Sequence, residues 1–298
     1  MTAAEHASPS AARALLLGAA LALLLGASSA SARPRPAPAG APRIQEVRFR
    51  SQALGSEERY LVVLPAEYAR HPERRYPVIY LLHGLAGAPR DWLEKAHVDE
   101  VFDRLVAARA AKPAILVAPD GGNAYWTDHL GGARWGAFVA DDVLADVDAR
   151  FRTRAERGGR AIVGVSMGGH GAMSIGLQHP ERFAAVVSVA GALFPEPPTH
   201  RPIYKKVWGF PADPAHWRAT APIELMRRLD PKSAPKLYLA CGDDDTTTGF
   251  LDDALLAHRI LAERGIPHEL RVNDGGHGWA PWNELSEDWL RFVSRALR

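Results

Sequence analysis

The stretch Ala161-Ile162-Val163-Gly164-Val165-Ser166-Met167-Gly168-Gly169-His170-Gly171-Ala172-Met173 decides how this chain is read. A short apolar, β-branched run ends in Gly-x-Ser-x-Gly and passes directly into a small-residue pattern of helical character. That succession predicts a strand, a sharp turn and a helix, the device that raises a serine nucleophile above an α/β sheet. The glycines have a mechanical purpose. The turn forces Ser166 into a crowded backbone conformation, and strand and helix approach closely only where no Cβ stands between them. In a glycine-rich chain the bare pattern is weak, and a plain turn with an idle serine would show it too. The apolar strand before it and the proline-free stretch after it favour the nucleophile. Serine alone is a poor nucleophile, so the chain must also supply a base, an acid to orient the base, and an oxyanion hole.

The chain has 298 residues, 47% of them hydrophobic, enough for one sizeable α/β core. Residues 1–32 differ in kind. Arg13 precedes the apolar run Ala14–Leu25, and Ala30-Ser31-Ala32 matches a small-x-small cleavage site, so this segment is expected to be a secretory signal peptide. An uncleaved anchor is the alternative, although the run is short for a membrane span and no later segment approaches one. Residues 33–43, Arg-Pro-Arg-Pro-Ala-Pro-Ala-Gly-Ala-Pro-Arg, predict an extended tether outside the fold. The body, 44–298, is then a secreted or periplasmic domain with no stable membrane insertion. The net charge of +2 includes three tether arginines, Arg33, Arg35 and Arg43, while residues 1–32 are neutral; the body is therefore −1. No case for nucleic-acid binding follows from that balance. The one cysteine, Cys241, allows no internal disulfide and reads as a small buried hydrophobe.

Outward from the serine, apolar runs alternate with helical periods. Residues 44–49 and 60–64 flank Gly55-Ser56 and predict an antiparallel hairpin at a sheet edge. Further strands are expected at 77–82, 114–118, 162–165, 183–189, 236–241 and 269–272, and helices at 99–110, 138–151, 251–261 and 285–297. Within 138–151, Val139, Val143, Leu144, Val147 and Phe151 share one face. The alternation predicts an α/β fold with a mostly parallel, doubly wound sheet and an antiparallel N-terminal edge. Residues 192–229, rich in proline and aromatics, break the rhythm; they are expected to form an excursion over the active site that shapes the substrate pocket.

The base is sought among twelve histidines. His277 lies in Gly275-Gly276-His277-Gly278, after the last strand and before the last helix, where the nucleophile–acid–base chain order of α/β hydrolases places it. The acid should follow the strand at 236–241, which ends in Gly242-Asp243-Asp244-Asp245; Asp245 is favoured and Asp244 stands second. A solvated turn or a loose calcium site is the plain alternative for the triplet, without the spaced ligands that calcium loops carry. Oxyanion donors are expected from the backbone N–H of Met167, next to the nucleophile, and of Leu85, in the loop His83-Gly84-Leu85-Ala86-Gly87.

These stretches, with Ala118-Pro119-Asp120-Gly121-Gly122-Asn123 and Tyr125-Trp126-Thr127-Asp128, resemble an esterase family of α/β hydrolases. It includes esterase D and the S-formylglutathione hydrolases, tributyrin and feruloyl esterases, and the antigen 85 mycolyltransferases. The resemblance runs from about 44 to 298 in the family's order. It implies an acid three residues after the strand-end glycine, at Asp245, and oxyanion donors at Leu85 and Met167. The implied activity is that of a serine carboxylesterase acting on a small-molecule or saccharide ester, with no metal or organic cofactor. An acyltransferase of the antigen 85 type and a noncatalytic binding relative are the alternatives. An export signal speaks against the cytosolic thioesterase role of the S-formylglutathione hydrolases.

Overall fold

The computed structural model of the protein describes residues 42–245 and 249–298. The expected signal peptide, 1–32, and all of the expected tether but Pro42 and Arg43 lie outside the described residues. Strands β1 (Ile44–Arg50) and β2 (Glu57–Val63) form the expected antiparallel hairpin, with Val47 opposite Tyr60. There follow β3 (Val78–Leu82), α1 (Asp91–Glu94), α2 (Val98–Ala107) and β4 (Ile115–Pro119). Then come α3 (Trp135–Ala137), α4 (Leu144–Arg150), β5 (Arg160–Val165), α5 (Met167–Gln178) and β6 (Ala185–Val189). Short helices α6 (Pro202–Trp208), α7 (Pro214–Thr220) and α8 (Pro222–Arg228) lead to β7 (Lys236–Gly242). Last are α9 (Phe250–Glu263), β8 (His268–Asn273), α10 (Trp279–Glu284) and α11 (Ser286–Ala296).

Among the described residues the strands make one sheet in the order β1-β2-β4-β3-β5-β6-β7-β8. The pairs β1–β2 and β2–β4 are antiparallel and all others parallel, so the sheet is mixed with its antiparallel part at the N-terminal edge, as expected. Strands β3, β4 and β6 are buried along their whole length, the signature of strands covered on both faces. Helix α5 packs on β3, β5 and β6, and α11 packs on β6, β7 and α2. Because α5 is enclosed on every side, it has no polar stripe; all its residues but Gln178 are buried. No helix among the described residues is long and apolar enough to cross a membrane.

Three stretches differ from the sequence expectation. Residues 138–151 are not one α-helix, because Phe138–Val143 is a π turn that leads into α4. A π turn holds an extra residue, and here neighbours Phe138 and Val139 are both fully buried, with Phe138 stacked 6.0 Å from Phe49. The terminal helix starts at Ser286, and α10 occupies part of the expected loop after His277, drawn in by burial of Trp282 and Leu285. The excursion at 192–229 is helical: α6, α7 and α8 each carry proline in the first turn, where its missing N–H has no intrahelical partner to lose. Phe194 from this segment packs 6.2 Å from Phe250, whose ring lies 5.0 Å from that of His277.

Candidate active site

β5 delivers Ser166 to a turn so tight that its backbone takes φ 55° and ψ −118°, a conformation strained for any residue with a side chain. Its N–H donates to Val189 O at 2.9 Å, and its carbonyl accepts from His170 N at 3.1 Å, which fixes the turn from both sides. Glycine at 168 is required: a Cβ there would drive into the carbonyl of Leu82, the last residue of β3. Helix α5 and the central strands can therefore close on one another only with hydrogen at that position.

Asp245 and His277 lie on the loops that extend the neighbouring parallel strands β7 and β8. The two loops are laced together. Asp243 N donates to Asn273 O at 2.8 Å, Asp244 N to Gly275 O at 3.2 Å, and Gly275 N to Asp243 Oδ1 at 3.0 Å. Gly242 permits the approach, since a Cβ on it would overlap the Gly275 carbonyl oxygen. The outcome is a hydrogen-bonded line through three side chains. His277 Nδ1 lies 2.7 Å from Asp245 Oδ2, and His277 Nε2 lies 2.8 Å from Ser166 Oγ. A carboxylate can only accept, so Nδ1 carries the proton and Nε2 presents its lone pair to the serine hydroxyl. Asp245 is 1% exposed, whereas Asp243 and Asp244 are exposed; Asp245 faces the imidazole and Asp244 does not.

Cys241 Sγ stands 3.8 Å from Asp245 Oδ2. Burial, and then the charge of Asp245, push its thiol up to about 12, so it stays protonated and unreactive at neutral pH. Carboxylate oxygens of Asp243, Asp244 and Asp274 come within 4.8 Å of one another at the exposed rim. Such a solvated acidic group is not by itself a metal centre. His170, one residue row behind the serine on α5, is fully buried and donates Nδ1–H to Ala192 O at 2.7 Å. Burial lowers its pKa to about 4, so it is neutral and serves the packing.

The expected oxyanion donors flank the serine. Met167 is the first residue of α5, where a backbone N–H has no intrahelical acceptor and the helix dipole is positive. Leu85 lies in a turn closed by Gly87 N donating to Gly84 O at 3.0 Å, and Gly84 abuts Ser166 closely. A second loop, from Asp120 to Trp126, grips this turn; nothing in the local periodicity of the sequence announced that role. Gly121 N donates to His83 Nε2 at 3.2 Å, Trp126 Nε1 to His83 O at 3.1 Å, and Ala86 N to Asn123 Oδ1 at 2.7 Å. Asp120 is in turn anchored by Arg59, whose Nε approaches its Oδ2 at 2.9 Å. A cavity of about 160 Å³ opens between the turn and the histidine loop, lined by Leu85, Lys95, Ser166, His277, Trp279 and Trp282 among others.

Chemically, the arrangement couples a hydroxyl to a neutral imidazole backed by a buried carboxylate, with main-chain donors beside it. Residues 51–291 match the family described as Putative esterase. Esterase Rv1288 of Mycobacterium tuberculosis is 32% identical over 275 residues, which take in 80% of this chain and 57% of that protein. This chain thus spans little more than half the length of that relative. An acetyl esterase of Caldicellulosiruptor saccharolyticus is 26% identical over 285 residues, covering 85% of this chain and 98% of the relative. A solved ferulic acid esterase superposes with a TM-score of 0.74 at 30% identity, over 85% of this chain and 97% of that one.

Proposed function

The chain belongs to that esterase family, and from this premise we propose that it is a serine carboxylesterase working through Ser166, His277 and Asp245. The observation that carries the reading is the pair of hydrogen bonds, 2.8 and 2.7 Å, that joins the three side chains from three separate loops. In this mechanism His277 Nε2 takes the proton of Ser166 as Oγ attacks the ester carbonyl carbon. Asp245 holds the ring in the productive tautomer and stabilises the imidazolium that forms. The N–H groups of Leu85 and Met167 bind the oxygen that becomes negative, an interaction stronger in the tetrahedral state than in the ester. His277 then returns the proton to the departing alcohol, leaving an acyl-serine. Water, activated by the same imidazole, repeats the sequence and frees the carboxylic acid.

The acetyl and ferulic acid esterases among the relatives point to small acyl or aryl-acyl esters as the substrate class. The leader-like sequence of residues 1–32 supports a secreted or periplasmic location. Ser166→Ala tests the assignment. With p-nitrophenyl acetate as substrate, turnover should fall at least about 10⁴-fold with the melting temperature kept within a few degrees. Turnover close to that of the unaltered protein would remove Ser166 from the reaction.

A further inference from the structure

The turn that carries Leu85 is held in an unfavourable form. Gly87 N bonds Gly84 O, so Leu85 and Ala86 are its two central residues. Ala86 has φ 58°, and Leu85 is not among the residues with positive φ. This is the type II form, whose third position favours glycine or asparagine and strains alanine. A type I turn over the same four residues would relieve Ala86 by rotating the peptide between Leu85 and Ala86. That rotation would turn the Ala86 N–H and the Leu85 carbonyl to opposite sides, placing a carbonyl oxygen where the N–H had been, one peptide away from the Leu85 N–H.

One side chain opposes the rotation. The Oδ1 of Asn123 accepts from the Ala86 N–H at 2.7 Å, across 37 positions of sequence. Asn123 sits at an exposed position, but its loop is pinned. Ala124 N donates to Gly121 O at 3.1 Å, and the neighbouring Tyr125 and Trp126 are buried. Trp126 further fixes the loop to the His83 carbonyl. The acceptor is thus delivered by a braced element to the one N–H that a peptide rotation would withdraw.

We propose that Asn123 is a positioning residue that locks the oxyanion turn in its type II form against the strain at Ala86. The inference rests on the esterase reading of the site and adds to it a residue that touches no reacting atom. Its logic makes a specific demand on double substitution. Glycine at 86 favours the type II turn unaided, so Ala86→Gly should make Asn123 dispensable.

The test measures kcat and KM for p-nitrophenyl acetate in the full chain, with Asn123→Ala and Ala86→Gly made singly and together. Asn123→Ala should lower kcat about 10- to 100-fold with KM within about twofold, because the lost interaction belongs to the transition state. Asn123→Asp keeps the acceptor and should stay within about fivefold of the parent. In the Ala86→Gly background, Asn123→Ala should cost no more than about threefold. Equal losses in both backgrounds, or an Asn123→Ala protein with unchanged kcat, would overturn the proposal. Amide hydrogen exchange gives a reading that needs no turnover: Asn123→Ala should deprotect the Ala86 amide, and unchanged protection refutes the lock. A parent protein inert toward every ester would instead count against the esterase reading, leaving the exchange result to decide the turn.

Discussion

Gly242→Ala is the substitution whose consequence can be worked most directly from the geometry. Gly242 ends β7, and the added methyl would overlap the backbone oxygen of Gly275, far inside the 3.0 Å that Cβ atoms respect. Backbone cannot step aside as a flexible side chain does, so the two loops must part by on the order of 1 Å. The bonds from Asp243 N, Asp244 N and Gly275 N cross this gap and would stretch together. At roughly 1 kcal/mol for each, the loss of stability is about 2–3 kcal/mol. The functional effect is larger. His277 rides on the displaced loop, and a hydrogen bond of 2.8 Å to Ser166 lengthened by that amount ceases to be one. Misplacement on this scale costs about 100-fold in rate. Rates of p-nitrophenyl acetate hydrolysis and of labelling by a fluorophosphonate should therefore fall together, while circular dichroism reports a folded protein. A Gly242→Ala protein with unchanged labelling rate and melting temperature would refute the claim that close contact of these loops sets the acid–base geometry.

Asp245→Asn should preserve shape but remove the charge and let an amide NH2 donate to Nδ1, favouring the wrong imidazole tautomer and lowering kcat by about 10⁴-fold in a steady-state assay. His170 prefers its neutral form in the fold, with a pKa lowered to about 4 from an unfolded value near 6.5. Its contribution is complete above that unfolded value and is lost as pH falls toward 4, about 3 kcal/mol in all. Burial raises the Asp253 carboxyl to about 7, which acts in the opposite sense over the same range, so the decline is read as the difference between the parent and His170→Gln in urea unfolding from pH 7 to pH 4. Cys241, buried and protonated, should resist iodoacetamide in the native protein, with esterase activity intact after prolonged exposure to the reagent.

The parts of this protein visible in its sequence are those with a local signature. Ser166 is announced by five consecutive positions, and the strand ends that carry His277 and the aspartate triplet by apolar runs that stop at glycine. The hairpin at 44–63 was legible for the same reason, in alternation about a turn. What depends on contacts between distant segments left no such trace. Periodicity does not distinguish a π turn from an α turn, so Phe138–Val143 read as plain helix. Sequence order alone ranks Asp244 and Asp245 almost equally, and it is the lacing of their loop to Gly275 that buries the latter. Asn123 and Trp126, each bonded to the turn around His83 from about 40 residues away, lie in a segment whose own composition says only loop.

The order of the sheet has a consequence for how this protein could be diversified. β6 runs between β5, which bears the serine, and β7, which leads to the aspartate. The helical insert of residues 192–229 leaves from β6, so it emerges midway between Ser166 and Asp245 with both ends tied to fixed strands. Its exposed turns can vary while the neighbouring strand tips stay in register, but Trp208, Ile223 and Met226 are buried in the common core and hold the insert to it. Exchanging the insert among relatives would therefore require these buried side chains, and the pockets that receive them, to be matched along with it.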